Sequence, residues 1–346
     1  MVAERAAERA AVRRAARLRA LAAVLLLPAL AAAARAETLD RDRVALFVER
    51  MVGEHGYRRD LLEDAFRGVS VSHEVLERIR RPAEKLAWGD YRKIFITPQR
   101  VEQGVEFLRR HAEVLGRAEE VYGVPPEIVA AIIGIETYYG KNKGRHGVLA
   151  ALGTLAFHYP PRAAFFEKEL EQYLLLTRER GLEPKTLKGS YAGAMGIPQF
   201  LSSSYRNYAV DFDGDGDIDI WQSYEDAVGS VANYLSRHGW SGGRPVASPL
   251  RMDDSLYERL KLEGDGAELR VRTERLPFIR GAPLLADAEA RVLRLVSGGR
   301  NEYWAGFGNF GVIKRYNRSD LYAMAVARLG ELLKGGGARG ERGEER

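Results

Sequence analysis

With 346 residues, 46% hydrophobic and 29% charged, the chain can bury a substantial core in one large domain or two modest ones. Its net charge of +5 belongs to residues 1–36, which hold seven Arg and two Glu, and the neutral remainder argues against nucleic-acid binding. The lack of cysteine excludes disulfides, thiol catalysis and lipid attachment through an N-terminal cysteine.

Arg13, Arg14, Arg17 and Arg19 precede an apolar stretch, Ala20 to Ala34, that is too short to span a bilayer comfortably. Ala34-Arg35-Ala36 offers small residues for cleavage before Glu37. Residues 1–36 therefore read as a secretory signal that leaves a soluble product; an uncleaved amphipathic anchor is the alternative. Residues 41–56 place Val44, Phe47, Val48, Met51 and Val52 on one helical face. Ser72 can cap a short helix that stops at Pro82, and Ile94, Phe95 and Ile96 read as an extended link. Thr97 caps the next helix with Pro98 at its first position. One helix is expected to carry Val101, Val105, Leu108, Ala112, Leu115 and Val121 down to Tyr122.

Pro125 and Pro126 suit the first turn of a further helix, because their missing N–H groups would find no intrahelical partner there. Ile128, Val129, Ile132, Ile133 and Ile135 recur at helical spacing, and Glu136 shares the face of Ile132 and Ile133. A carboxyl group on such a face loses hydration, which favours its protonated form and equips it as a general acid. A helix-end Glu paired with Lys141 or Lys143 is the other reading. Leu149 to Phe157 is apolar, and His158 to Arg162, with Pro160-Pro161, breaks it. Ala163 to Arg178 continues as an amphipathic helix. Gly189 to Phe200 is crowded with small residues, which suits close approach of a backbone or ligand and equally suits tight helix packing.

Asp211, Asp213 and Asp215 occupy positions 1, 3 and 5 of a loop with Gly216 at position 6, the first half of an EF-hand-type calcium loop. Position 12 is Gln222, so Glu225 or Asp226 on the next helix has to supply the later carboxylate. A solvated acidic turn is the bland alternative. Asp226 to His238 reads as a helix, Leu269, Val271 and Thr273 as a short strand, Asp287 to Val296 as a helix and Arg318 to Leu333 as the closing helix. Residues 335–346 are expected to be a disordered tail. His146 and His158 match no metal-ligand spacing and read as structural. Sixteen tyrosines, many beside these motifs, suit either a wet sugar groove or half-buried packing. The fold class is mainly α with a minor β element near the C-terminus.

Several stretches together carry a resemblance. They are Tyr91-Arg92-Lys93 with Phe95-Ile96-Thr97-Pro98, Tyr122 to Ile128, Ile132 to Thr137, Gly189-Ser190 with Ala192 to Gly196, Gln199-Phe200, Ser203-Ser204-Tyr205, Val231 to Tyr234 and Arg315-Tyr316-Asn317. Over roughly residues 40–334 the chain resembles the soluble-lytic-transglycosylase-like families, in particular the membrane-bound lytic murein transglycosylase B family. The resemblance implies a lysozyme-like helical core in a catalytic domain of residues 37–334, periplasmic after export, acting on peptidoglycan glycan strands. It implies Glu136 as sole acid/base, cleaving the MurNAc–GlcNAc bond to 1,6-anhydro ends. It also implies a groove lined by Tyr91, Arg162, Ser190, Gln199, Tyr234, Tyr316, Asn317 and Tyr322. Structural Ca2+ is implied at Asp211, Asp213, Asp215 and Asp217, with Asp226 as the later carboxylate. Two departures stand out. Pro161-Arg162 occupies the place of paired arginines, and no cysteine exists for the namesake's lipid anchor. A hydrolytic muramidase on the same fold and a catalytically idle peptidoglycan-binding protein are the rival readings.

Overall fold

The apolar run after Pro125 becomes the helix around which the others pack. The structure is a computed structural model that describes residues 37–81, 86–263, 268–280, 285–286 and 288–336. The predicted signal and the tail beyond residue 336 lie outside these. Helix α1 (Arg41–His55) is capped by the Asp40 side chain and ends at Gly56 in the left-handed region, burying Phe47, Val48 and Met51. It is followed by α2 (Arg59–Phe66) and α3 (His73–Ile79), the latter capped by Ser72 as expected.

The predicted extended link at Ile94–Ile96 is instead the end of α4 (Trp88–Phe95), and only Ile96 leaves the helix. Trp88 and Tyr91, three residues apart, are buried on one face, and that burial outweighs the β-branched end of the segment. The single helix expected from Thr97 to Tyr122 is broken in two, α5 (Pro98–Arg110) and α6 (Ala112–Tyr122). His111 at the break has φ −108° and ψ 24°, and its ring lies 4.5 Å from Phe107 and 4.7 Å from Tyr224.

Helix α7 (Pro126–Thr137) is apolar and buried from Ile128 to Ile135, with its polar residues confined to the two ends, which makes it the central core helix. A short bridge joins β1 (His146–Gly147) to β2 (Lys188–Gly189), enclosing the paired helices α8 (Val148–His158) and α9 (Ala163–Glu179). Phe157 of α8 meets Phe47 at 6.0 Å edge to face, tying this pair to α1. Next come α10 (Ser202–Tyr208), the acidic loop and α11 (Tyr224–Arg237), capped by Ser223.

The late β element is larger than one strand. Strands β3 (Ala247–Leu250), β4 (Arg270–Arg272), β5 (Glu289–Ser297) and β6 (Arg300–Gly306) form an antiparallel sheet in the order β3-β6-β5-β4, with α12 (Asp254–Glu263) inserted after β3. The helix predicted from Asp287 to Val296 is therefore corrected to β5; Asp287 itself lies outside the described residues. Ser297 pairs with Arg300 across Gly298-Gly299, whose φ values of 56° and 76° are what a two-residue hairpin turn requires. Leu250, Val271, Val292, Tyr303 and Phe307 build a second, smaller core under this sheet. The chain closes with α13 (Gly308–Tyr316) and α14 (Asp320–Lys334). Helices α5, α6, α11 and α14 all pack on α7, and α14 does so most extensively.

Candidate active site

Glu136 is the penultimate residue of α7 and is partly exposed, whereas Ile135 and Thr137 on either side are buried. Helix α7 stops because Tyr138 adopts φ 53°, and Tyr139 follows at 59°, a left-handed pair without glycine. Each such residue costs about 1–2 kcal/mol. The surroundings hold the second in place. The Tyr139 hydroxyl donates to the Arg100 carbonyl at 2.9 Å, and its carbonyl accepts from the Tyr224 hydroxyl at 3.1 Å. Its ring fills space left by Gly104 and Gly134, where a Cβ would collide with it. Strain of this kind fixes the direction in which the helix end, and Glu136 with it, faces.

Thr137 joins that end to the small-residue segment. Its hydroxyl lies 2.9 Å from the Ile197 carbonyl and 3.2 Å from the Ile133 carbonyl, and it accepts from the Gly140 N–H at 2.9 Å. The segment is a set of tight turns. Ser190 Oγ accepts from the Ala192 and Ala194 N–H groups, and Met195 exchanges backbone bonds with Phe200. Gly189 has no room for a Cβ against the Ala194 carbonyl. Gln199, at φ 52°, donates through Nε2 to the carbonyls of Gly196 (2.9 Å) and Lys143 (3.2 Å).

A wall of tyrosines stands opposite. The hydroxyl of Tyr322, a buried residue in the first turn of α14, donates to Glu136 Oε1 at 2.6 Å. The Tyr322 ring stacks on Tyr316 (6.5 Å, 11°), whose hydroxyl donates to the Pro198 carbonyl at 2.5 Å. Tyr316 meets Tyr234 edge to face at 4.9 Å, and Tyr234 donates to the Arg315 carbonyl at 2.6 Å. Burial pushes the Tyr316 and Tyr322 hydroxyls far above the ordinary phenol range, and the negative charge of Glu136 adds to the effect on both. Both therefore stay protonated, and Tyr322 is a permanent donor. Tyr91, buried on α4, also acts on the Tyr322 hydroxyl. Lys141 and Lys143 turn elsewhere, to Gln103 Oε1 at 2.6 Å and the Trp221 carbonyl at 2.7 Å, which removes the helix-end pairing as an account of Glu136.

In the acidic loop, carboxylate oxygens of Asp211, Asp213 and Asp226 lie within 4.8 Å of one another. Asp226 is 1% exposed and accepts from the backbone N–H groups of Phe212 (2.7 Å) and Asp219 (2.7 Å), with no basic side chain on it among the described residues. Burial raises its carboxyl above the usual range, and the Asp213 charge adds to this against the lowering by those N–H groups. Three neighbouring hard oxygens, one of them on a buried carboxylate that no basic side chain neutralises among the described residues, fit a calcium ion. Asp215 is not gathered with them; it accepts from the Asp217 N–H, and the Asp217 carboxylate is paired with Arg180.

A family model described as the transglycosylase SLT domain matches residues 40–331. The chain belongs to that family. It is 42% identical over 298 residues to the membrane-bound lytic murein transglycosylase B of Escherichia coli strain K12, covering 83% of this chain and 81% of that one. Solved relatives share the fold. The soluble lytic transglycosylase SltB1 of Pseudomonas aeruginosa is 45% identical, with TM-score 0.76 over 86% of this chain and 99% of that one. The E. coli lytic transglycosylase Slt35, solved in complex with calcium, is 40% identical, with TM-score 0.76 over 86% and 96%. SltB3 of P. aeruginosa, in complex with NAG-NAM-pentapeptide, is 33% identical, with TM-score 0.75 over 86% and 80%.

Of the residues that the family resemblance implied, Glu136, Tyr322, Tyr316, Tyr234 and Tyr91 converge here, and Gln199 and Ser190 shape the turns beside them. Asn317 sits in the three-residue link between α13 and α14, where its Oδ1 accepts from the Ser319 N–H at 3.1 Å. Arg162 is not joined to this cluster. It is exposed at the turn before α9, with its guanidinium over Phe165 (4.3 Å) and Phe166 (5.0 Å). Sequence reasoning missed the role of Thr137; its one signal is a hydroxyl at the last position of the helix, next to Glu136.

Proposed function

We propose that the chain is a peptidoglycan lytic transglycosylase that cleaves the MurNAc–GlcNAc β-1,4 bond, with Glu136 as single general acid/base. The observation that carries this reading is a carboxyl group on a partly exposed residue at a strained helix end, held by a buried tyrosine whose hydroxyl stays protonated. Membership of the SLT family and the names of its relatives supply the substrate class.

The Glu136 carboxyl gives its proton to the glycosidic oxygen as the bond from C1 breaks through an oxocarbenium-like state. The 6-hydroxyl of the same muramyl residue then closes on C1 while the carboxylate takes the hydroxyl proton. The product is a 1,6-anhydro end and the enzyme returns protonated. An ordinary glycosidase needs a second carboxylate as base or nucleophile, whereas here the substrate supplies the nucleophile. The Tyr322 hydroxyl keeps the carboxylate aimed and stabilises the charge that it carries between the two proton transfers.

Tyr91, Ser190, Gln199, Tyr234, Tyr316 and Asn317 act as the groove, and Arg162 meets the strand farther out. Residues 37–334 work as one catalytic unit. Asp211, Asp213 and Asp226 would hold calcium, with Asp215 and Asp217 flanking, and the ion would supply charge neutralisation to the loop. Among the described residues no helix is long and apolar enough to cross a membrane, and the enzyme works in the periplasm after removal of residues 1–36. Digestion of purified peptidoglycan in oxygen-18 water, read by mass spectrometry, tests the chemistry. Anhydro ends without heavy oxygen are expected. Labelled reducing ends would mean hydrolysis, and no cleavage would mean a binding protein. Glu136→Gln should still bind strands and lose about a hundredfold to ten-thousandfold in turnover.

A further inference from the structure

Beside the tyrosine wall lies a cavity of about 930 Å3, between the β-sheet and α13, lined by six basic side chains against the two carboxylates of Glu268 and Glu289, with Asp320 just outside the lining. Half of the basic set is neutralised internally. Glu268 meets Arg291 (2.7 Å), Arg270 (3.2 Å) and Lys314 (3.5 Å), and Asp320 meets Arg291 (2.7 Å) and Lys314 (2.9 Å). Arg244, Arg315 and Arg318 have no carboxylate partner among the described residues. Their backbones are nonetheless fixed. Buried Asn309 donates to the carbonyls of Ser241 (2.9 Å) and Arg244 (3.0 Å) and accepts from the Ser241 N–H (2.9 Å), clamping the loop that presents Arg244. The Arg315 carbonyl takes the Tyr234 hydroxyl, and Arg318 sits in the short link from α13 to α14.

We propose that this cavity binds the carboxylates of the peptide carried by the glycan strand, and so makes the enzyme prefer peptide-bearing over bare strands. This rests on the peptidoglycan reading above. Three arginines without a carboxylate partner among the described residues line one concavity, and guanidinium groups suit carboxylates, which they can meet with paired N–H donors. The distance also fits. From Tyr322 at Glu136, ring-to-ring steps of 6.5 Å to Tyr316, 4.9 Å to Tyr234 and 4.1 Å to His238 lead to the cavity wall. An extended pentapeptide reaches about 17 Å. The neutral body of the chain leaves this as a local concentration of charge, not part of a general basic surface.

The test compares the wild type with Arg244→Gln/Arg315→Gln/Arg318→Gln on two substrates, peptide-bearing strands and strands stripped by an amidase. The triple variant should raise KM on peptide-bearing strands roughly fivefold to fiftyfold. Its kcat, and its KM on stripped strands, should stay at wild-type values. Arg318→Lys, which keeps the charge, should retain more affinity than Arg318→Gln; the two single variants carry the test if the triple variant does not fold. Equal changes on both substrates, or none on either, would overturn the proposal. A wild type that cleaves neither substrate would instead remove the peptidoglycan reading, and this proposal with it.

Discussion

The Tyr322 hydroxyl reaches Glu136 Oε1 at 2.6 Å across 186 residues of sequence, so the closing helix of the chain completes a site that the central helix begins. The bond links Glu136 to the longest helix–helix interface on α7 and makes its orientation depend on how α14 docks. The stack of Tyr322 on Tyr316 and the Tyr316 bond to Pro198 carry the same constraint to the small-residue turns.

Removing this donor tests its part in turnover. Hydrogen bonds to a charged group contribute about 1.5–3 kcal/mol. Tyr322→Phe should therefore lower kcat roughly tenfold to hundredfold, with KM little changed. The ring and its stack on Tyr316 survive, so the melting temperature should move only slightly. A kcat at the wild-type value would reduce Tyr322 to a wall residue.

Thr137 is tested by an isosteric change. Thr137→Val leaves the Gly140 N–H and the Ile197 carbonyl without their side-chain partner at a buried position. A lost bond of this kind costs about 1–3 kcal/mol. The melting temperature should fall, and turnover should fall with it because Glu136 is the adjacent residue. Thr137→Ser should restore both. Restoration of stability without turnover would show that Thr137 does not position the acid.

How far these features were legible depends on how local their signals are. The α7 helix and its proline start follow from spacing within a dozen residues and are present in the structure, whereas Glu136, expected on a desolvated apolar face, is partly exposed at the helix end. Strand β5 reads as a helix in the sequence because Val292 and Leu293 are adjacent and both buried, which blurs the alternation that marks a strand with one wet face. The Gly298-Gly299 pair is the sequence signal for the hairpin. The break at His111 leaves no proline or glycine in the sequence, since it depends on the packing of that ring between Phe107 and Tyr224. Tyr322 could be tied to Glu136 only through the family resemblance, because no local pattern spans 186 residues. Arg162 came from the same source, and the structure leaves it on an exposed turn.

Calcium binding should be visible as stability. An ion bound only to the folded state adds about 2.7 kcal/mol at a hundredfold excess over its dissociation constant. Melting of the wild type should therefore shift upward with calcium and downward with a chelator. Asp213→Ala removes one of the three neighbouring carboxylates and should abolish the difference. Identical curves for the wild type with and without calcium would remove the site.

His111 gives the break between α5 and α6 a pH signature. Burial lowers its pKa below the ordinary 6.5; Glu225 opposes this and Arg110 adds to it. The folded state thus binds a proton less readily than the unfolded chain does. Wherever the unfolded chain holds more protons, stability rises with pH. The contribution is complete above about pH 6.5. It is lost as the pH falls from there through the depressed native value, because His111 must then charge between two aromatic rings. His111→Gln has no proton to take up. The gap in melting temperature between wild type and variant should therefore be constant above pH 7 and move against the wild type on acidification toward pH 5. Other carboxylates change both proteins alike, so the difference between the two curves isolates this residue. A gap that stays constant over the whole range would mean that His111 charges in place without cost.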